Sequence, residues 1–129
     1  MIYLLVGLGG VVGSLLRYFV SSLSIHFLGT GFPFGTVFVN LTGAFVLGWI
    51  TGHLTNHTNI HPYFITAIGT GVVGSYTTFS TLSVETITFI EEGLLLRAFI
   101  YIIISLIGGI AFASWGFHFR KGKIQGENG

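Results

Sequence analysis

Cysteine is absent from the sequence, which excludes disulfides and thiolate metal sites. Charge is nearly absent as well: five Lys and Arg and four Asp and Glu make up 7% of 129 residues. So few charges cannot cover the surface of a soluble domain. The formal net charge of +1 gives no electrostatic ground for nucleic-acid binding. No Lys or Arg precedes the first apolar run, MIYLLVGLGG, and no small-residue cleavage site follows soon after. That run therefore reads as a retained span rather than a signal peptide. No nucleophile–base pairing or metal-ligand set stands out, so an enzyme is not expected. What is present is apolar: 51% hydrophobic residues, with 13 Phe and 20 Gly. This composition predicts an all-α integral membrane protein. A helical span needs about 20 apolar residues. Four spans over residues 1–119 use up the chain and leave no room for a second, soluble domain. Residues 120–129, beginning Arg120-Lys121-Gly122-Lys123, read as a basic, disordered tail.

One stretch does not suit a simple membrane helix. Gly69 to Glu85, GTGVVGSYTTFSTLSVE, holds three Gly and seven Ser or Thr in 17 residues. Gly costs roughly 1 kcal/mol in a helix interior, and Ser and Thr compete for the backbone. The expectation is a broken third helix that unwinds over Gly74-Ser75-Tyr76-Thr77-Thr78. Non-helical backbone at membrane depth persists only where protein buries it or where it lines a wet cavity or ion site. Function is expected here. Gly69 to Gly74 also fits the GxGxxG pattern, but no βαβ unit surrounds it, so a dinucleotide site is rejected.

The remaining spans carry few polar residues. The first, about Ile2 to Ile25, has Gly9 and Gly13 at a small-xxx-small spacing that suits close helix packing. Its one charge, Arg17, either snorkels to the nearer interface or acts as a vestibule cation that attracts anions. The second, about Phe34 to Leu54, holds Asn40 two turns in; that amide bonds across helices or faces a pore. His53, His57 and His61 share an i, i+4, i+8 spacing, but Asn56, Thr58, Asn59 and Pro62 favour a loop over a metal-binding face. Asn56-His57-Thr58 matches a glycosylation sequon weakly. The third span, about Tyr63 to Ile90, contains Glu85, which is costly against lipid and so points to a vestibule or polar neighbour. The fourth, about Leu94 to Phe119, places Tyr101, Ser105, Gly108 and Phe112 on one stripe, either a path lining or a packing face. With four spans both termini share a side. That side holds Arg120, Lys121 and Lys123, against Arg97 and a snorkelling Arg17 on the other. So weak a bias permits insertion in both directions, and hence an antiparallel two-fold dimer.

Three motifs now stand together: Gly9-Gly10-x-x-Gly13-x-x-x-Arg17-Tyr18, Gly35-Thr36-x-x-Val39-Asn40-x-x-Gly43 and Gly74-x-x-Thr77-Thr78-Phe79-Ser80-Thr81-x-x-x-Glu85. Across all four spans, in this order, they resemble the Fluc (CrcB) fluoride channel family. The resemblance implies a dual-topology antiparallel dimer in a bacterial cell membrane. It also implies two narrow fluoride pores and passive export that relieves fluoride toxicity. By motif position, a structural Na⁺ on the two-fold axis would be held by the backbone carbonyls of Gly74 and Thr77. The pore would be lined by Asn40, Phe79, Thr81, Tyr101 and Ser105, with Arg17 and Glu85 in the vestibule. The chemistry is consistent. Amide and hydroxyl donors, and the positive edge of an aromatic ring, can replace the water of a small anion without a fixed charge to trap it.

Two positions depart from that pattern. Leu82 stands where a second aromatic of the Phe-Ser-Thr-Phe box is usual, and Gly109 stands where a further hydroxyl is often found. The resemblance leaves two expectations: a homodimer that tolerates Leu82 with reduced throughput, or a heterodimer in which a paralogous subunit supplies the missing ring. A small multidrug exporter has a similar size and topology but carries a membrane-embedded Glu in its first span; here that span has no acid. A non-conducting partner subunit is the other alternative.

Overall fold

The computed structural model describes residues 1–54 and 59–119. His57, the sequon Asn56-His57-Thr58 and the basic tail 120–129 lie outside the described residues. The described chain is all-helical: α1 (Ile2–Leu28), α2 (Phe34–Trp49), α3 (Pro62–Thr66), α4 (Gly74–Tyr76), α5 (Ser80–Glu91) and α6 (Leu95–His118). Two stretches of wider π-helix extend this path, Ile50–Leu54 after α2 and Ala67–Val73 between α3 and α4. Three helices are long and apolar enough to cross a membrane: Ile2–Leu28, Phe34–Leu54 and Leu95–His118. Gly29 and Gly93, both at φ 77°, end α1 and the turn after α5, a left-handed conformation that suits glycine.

The 62–91 path is continuous helix up to Tyr76 and resumes at Ser80. Thr77 is extended, with ψ 161°. Gly74, Ser75 and Tyr76, expected to unwind, remain helical: the Thr77 N–H still bonds the Val73 carbonyl at 3.0 Å. The Tyr76 hydroxyl lies 2.9 Å from Thr42 Oγ1 on α2, which ties this last turn in place. The interruption thus falls at Thr77 to Phe79.

Small residues set how closely the helices approach. A side chain on Gly13 would run into the Val72 carbonyl, and one on Gly71 would meet the Val6 carbonyl, so α1 lies directly on the π-helical stretch. A side chain on Gly43 would strike Thr77 Cγ2, which brings α2 against the interruption. The small buried core, Phe89, Ala98 and Tyr101, joins α5 to α6, with Phe32, Val37, Leu82 and Leu94 packed around it. Most large apolar side chains of α1 and α6 face outward, as lipid-facing helices require.

Two of the three histidines, His53 and His61, lie among the described residues. His61 caps α3, its Nδ1 accepting from the Tyr63 N–H at 3.1 Å. His53 is buried and stacks on Trp49, with ring centroids 5.9 Å apart. Among the described residues no group of three His, Asp or Glu is arranged to hold a metal.

Candidate functional site

The site is built on one stripe of α2. Thr36, Asn40 and Gly43 follow i, i+4, i+7 and face the interrupted segment in turn. Asn40 makes the central contact. Its Nδ2 donates to the Thr78 carbonyl at 2.9 Å, and its Oδ1 accepts from the Thr78 N–H at 2.7 Å. One amide side chain thus satisfies both backbone groups of a residue that has left the helix, as buried backbone demands. Asn40 thus bonds across helices, and it also lines the open groove at the interruption.

Thr78 itself is buried and lies two residues before α5. Its Oγ1 accepts from the Thr81 N–H at 3.2 Å and lies 3.1 Å from Thr81 Oγ1. The bond holds an N–H of the first turn of α5. It leaves Thr81 exposed on the face that lines a cavity with Glu85. Thr36 Oγ1 donates to Glu85 Oε1 at 2.7 Å, so the acid has a polar neighbour rather than lipid. The cavity, about 390 Å³, is lined by Ser21, Ser24, Thr36, Thr81, Glu85 and Glu92 among others.

Arg17 reaches the interruption. Its Nη1 donates to the Thr77 carbonyl at 3.4 Å, across 60 residues of sequence. Gly74, Thr77, Thr78, Phe79 and Leu82 line a second, open groove of about 330 Å³ together with Asn40 and Gly43. Phe79 is 80% exposed on this face. Leu82, at the position without the second ring, packs against the Tyr101 cluster.

On α6, Tyr101 is fully buried, edge-on to Phe32 and Phe89 at 5.6 and 6.1 Å between centroids. Its hydroxyl is buried beside the Thr36–Glu85 pair, and that of Ser105, one turn on, is buried with no hydrogen-bond partner among the described residues. At Gly109, two turns from Tyr101, an added side chain would meet open space, so the missing hydroxyl leaves room rather than being replaced.

The expected residues therefore fall into three groups. Arg17, Asn40, Gly74, Thr77 and Phe79 gather at the interruption. Thr81 and Glu85 share the cavity on the far side of Thr78. Tyr101 and Ser105 are buried on α6. Thr36 and Thr78 were present in the motifs but had been given no role. The signal for them was their position: Thr36 lies one turn before Asn40, and Thr78 heads an S/T-x-x-T step into a helix.

Apolar helices of spanning length around an interior with polar side chains define a multi-pass helical membrane protein. The family model described as CrcB-like protein, Camphor Resistance (CrcB), matches residues 4–117. The chain is 47% identical over 115 residues to a protein named fluoride-specific ion channel FluC 2 from Geobacillus kaustophilus, covering 89% of this chain and 88% of that one. It is 43% identical to a fluoride-specific ion channel FluC 1 of Desulfitobacterium hafniense, covering 84% of this chain and 94% of the relative. A FluC 1 of Bacillus cereus (strain ATCC 10987 / NRS 248) is 42% identical, over 91% of this chain and 85% of its own. The chain belongs to the CrcB family.

Proposed function

We propose that this chain is a subunit of a fluoride-selective channel, an ion channel and not an enzyme, that lets fluoride leave the cell down its gradient. The observation that carries this is the buried hydroxyl of Ser105, which has no partner among the described residues, one turn from the Tyr101 hydroxyl beside Thr36 and Glu85. A buried donor without a partner costs about 1–3 kcal/mol, and one set at the edge of a polar cluster favours an occupant that accepts. A small anion or its water does so. Phe79, exposed beside the interruption, offers a ring edge to the same anion. The channel relatives named above support fluoride as that anion.

The membrane arrangement is four spans. The segments on either side of the interruption, 62–76 and 80–91, are roughly 22 and 18 Å long at 1.5 Å per residue. Neither crosses a bilayer core of about 30 Å alone, and together they do. The open groove at the interruption exposes Phe79 and the helix ends, and a second, antiparallel subunit is the occupant that would cover them.

A structural Na⁺ at that junction fits the residues present. In an unbroken helix the Gly74 carbonyl would accept from the Thr78 N–H, and the Thr77 carbonyl from the Thr81 N–H. Both donors are engaged elsewhere, by Asn40 Oδ1 and Thr78 Oγ1. The two carbonyls are therefore oxygen ligands of the kind a hard cation takes. A two-fold pair of subunits would supply four, and a bound ion would give the Gly74 carbonyl a positive partner and share the Thr77 carbonyl with Arg17.

The test is growth on fluoride of a bacterium without its own fluoride exporter. This chain restores growth and its Phe79→Ile variant does not. Equal rescue by both would remove Phe79 from the path. No rescue unless a paralogue with a complete box is co-expressed would favour the heterodimer or the non-conducting subunit.

A further inference from the structure

We infer that Asn40 and Thr78 are positioning residues for cation binding: each diverts a backbone N–H from a carbonyl of the junction and so keeps that carbonyl available. The inference rests on the sodium reading above.

Helix geometry gives the reason. A carbonyl in a helix is engaged by the N–H four residues on. In an unbroken helix the Gly74 carbonyl would pair in this way with the Thr78 N–H, and the Thr77 carbonyl with the Thr81 N–H. At both places a side chain has taken the donor. Asn40 Oδ1 holds the Thr78 N–H at 2.7 Å, and Thr78 Oγ1 holds the Thr81 N–H at 3.2 Å. The two diversions are linked, because the residue whose backbone Asn40 grips is the residue whose hydroxyl holds an N–H of α5. Remove either oxygen and the released N–H is free to seek its helical acceptor. A carbonyl so paired points along the helix and is a poorer ligand.

Arg17 bears on one of the same atoms. Its guanidinium donates to the Thr77 carbonyl at 3.4 Å, so a cation at the junction shares that oxygen with Arg17 or displaces it. Asn40, Thr78 and Arg17 come from α2, from the interruption and from α1, so three parts of the chain converge on two carbonyls.

The experiment uses the purified full chain and follows its thermal unfolding as Na⁺ replaces N-methylglucamine at constant chloride. Wild type is expected to gain stability with a measurable Na⁺ midpoint. In Asn40→Leu and Thr78→Val the midpoint rises at least about tenfold, while Thr78→Ser, which keeps the hydroxyl, stays near wild type. A sodium response in wild type that Asn40→Leu and Thr78→Val retain at the same midpoint overturns the inference and leaves the sodium reading intact. No response in wild type overturns the sodium reading itself. Where neither variant assembles, amide exchange in wild type without Na⁺ decides. Protected Thr78 and Thr81 amides support the diversion, and freely exchanging ones overturn it.

Discussion

Asn40 shows how one side chain can hold a helix open. Asn is a poor choice for hydrocarbon unless its amide is satisfied, and here both ends are, by the backbone of Thr78. Tyr101 is the opposite case: a buried hydroxyl with no close hydrogen bond of its own. The two residues predict different mutant behaviour. Tyr101→Phe removes a hydroxyl that makes no close hydrogen bond, although Thr36 and Glu85 stand beside it, so the stability lost in detergent is below about 1 kcal/mol. Fluoride flux falls if that hydroxyl serves the ion. A clear loss of stability, measured by thermal unfolding, would mean that the hydroxyl has an internal partner after all. Phe79→Ile keeps an apolar side chain of similar bulk but loses the positive ring edge. Flux is expected to drop at least about tenfold with the oligomer intact by size exclusion.

At the scale of helices, α1 lies against the π-helical stretch because Gly9 and Gly13 leave no Cβ between the backbones. Gly13→Val would push a side chain into the Val72 carbonyl. It should cost about 1–3 kcal/mol, read as a lower unfolding temperature and weaker assembly; unchanged behaviour would show that α1 can withdraw freely. The glycine spacing made this contact legible in the sequence, as long apolar runs did for α1, α2 and α6. Where the third helical path is interrupted was less legible. Gly74-Ser75-Tyr76 have weak helix propensity, yet the Val73 carbonyl and Thr42 hold them helical. The interruption follows Asn40, 38 residues away, and no local pattern reports a contact of that range. The π-helical stretches carried no readable signature either, since their wider turns come from packing against neighbouring helices. Arg17 was read from its own span alone, which offered snorkelling or a vestibule. Its partner, the Thr77 carbonyl, becomes visible only once α1 and the interruption are placed side by side.

At the scale of the whole molecule, a single subunit leaves its most informative surface uncovered: Phe79, the junction carbonyls and Leu82 share one open groove. Leu82 cannot supply a ring edge, and Gly109 supplies no hydroxyl, so in the proposed channel two identical subunits would offer the ion fewer contacts than the Phe-Ser-Thr-Phe pattern that the family resemblance implies. Slower conduction by the homodimer, raised by pairing with a full-box paralogue, is the expected result when the two are co-purified and compared. The most direct measurement is halide efflux from liposomes containing this purified chain, alone and with such a partner, followed with ion-selective electrodes. The account predicts fluoride release with chloride retained. Chloride release at the same rate, or no fluoride release from either preparation, would contradict it.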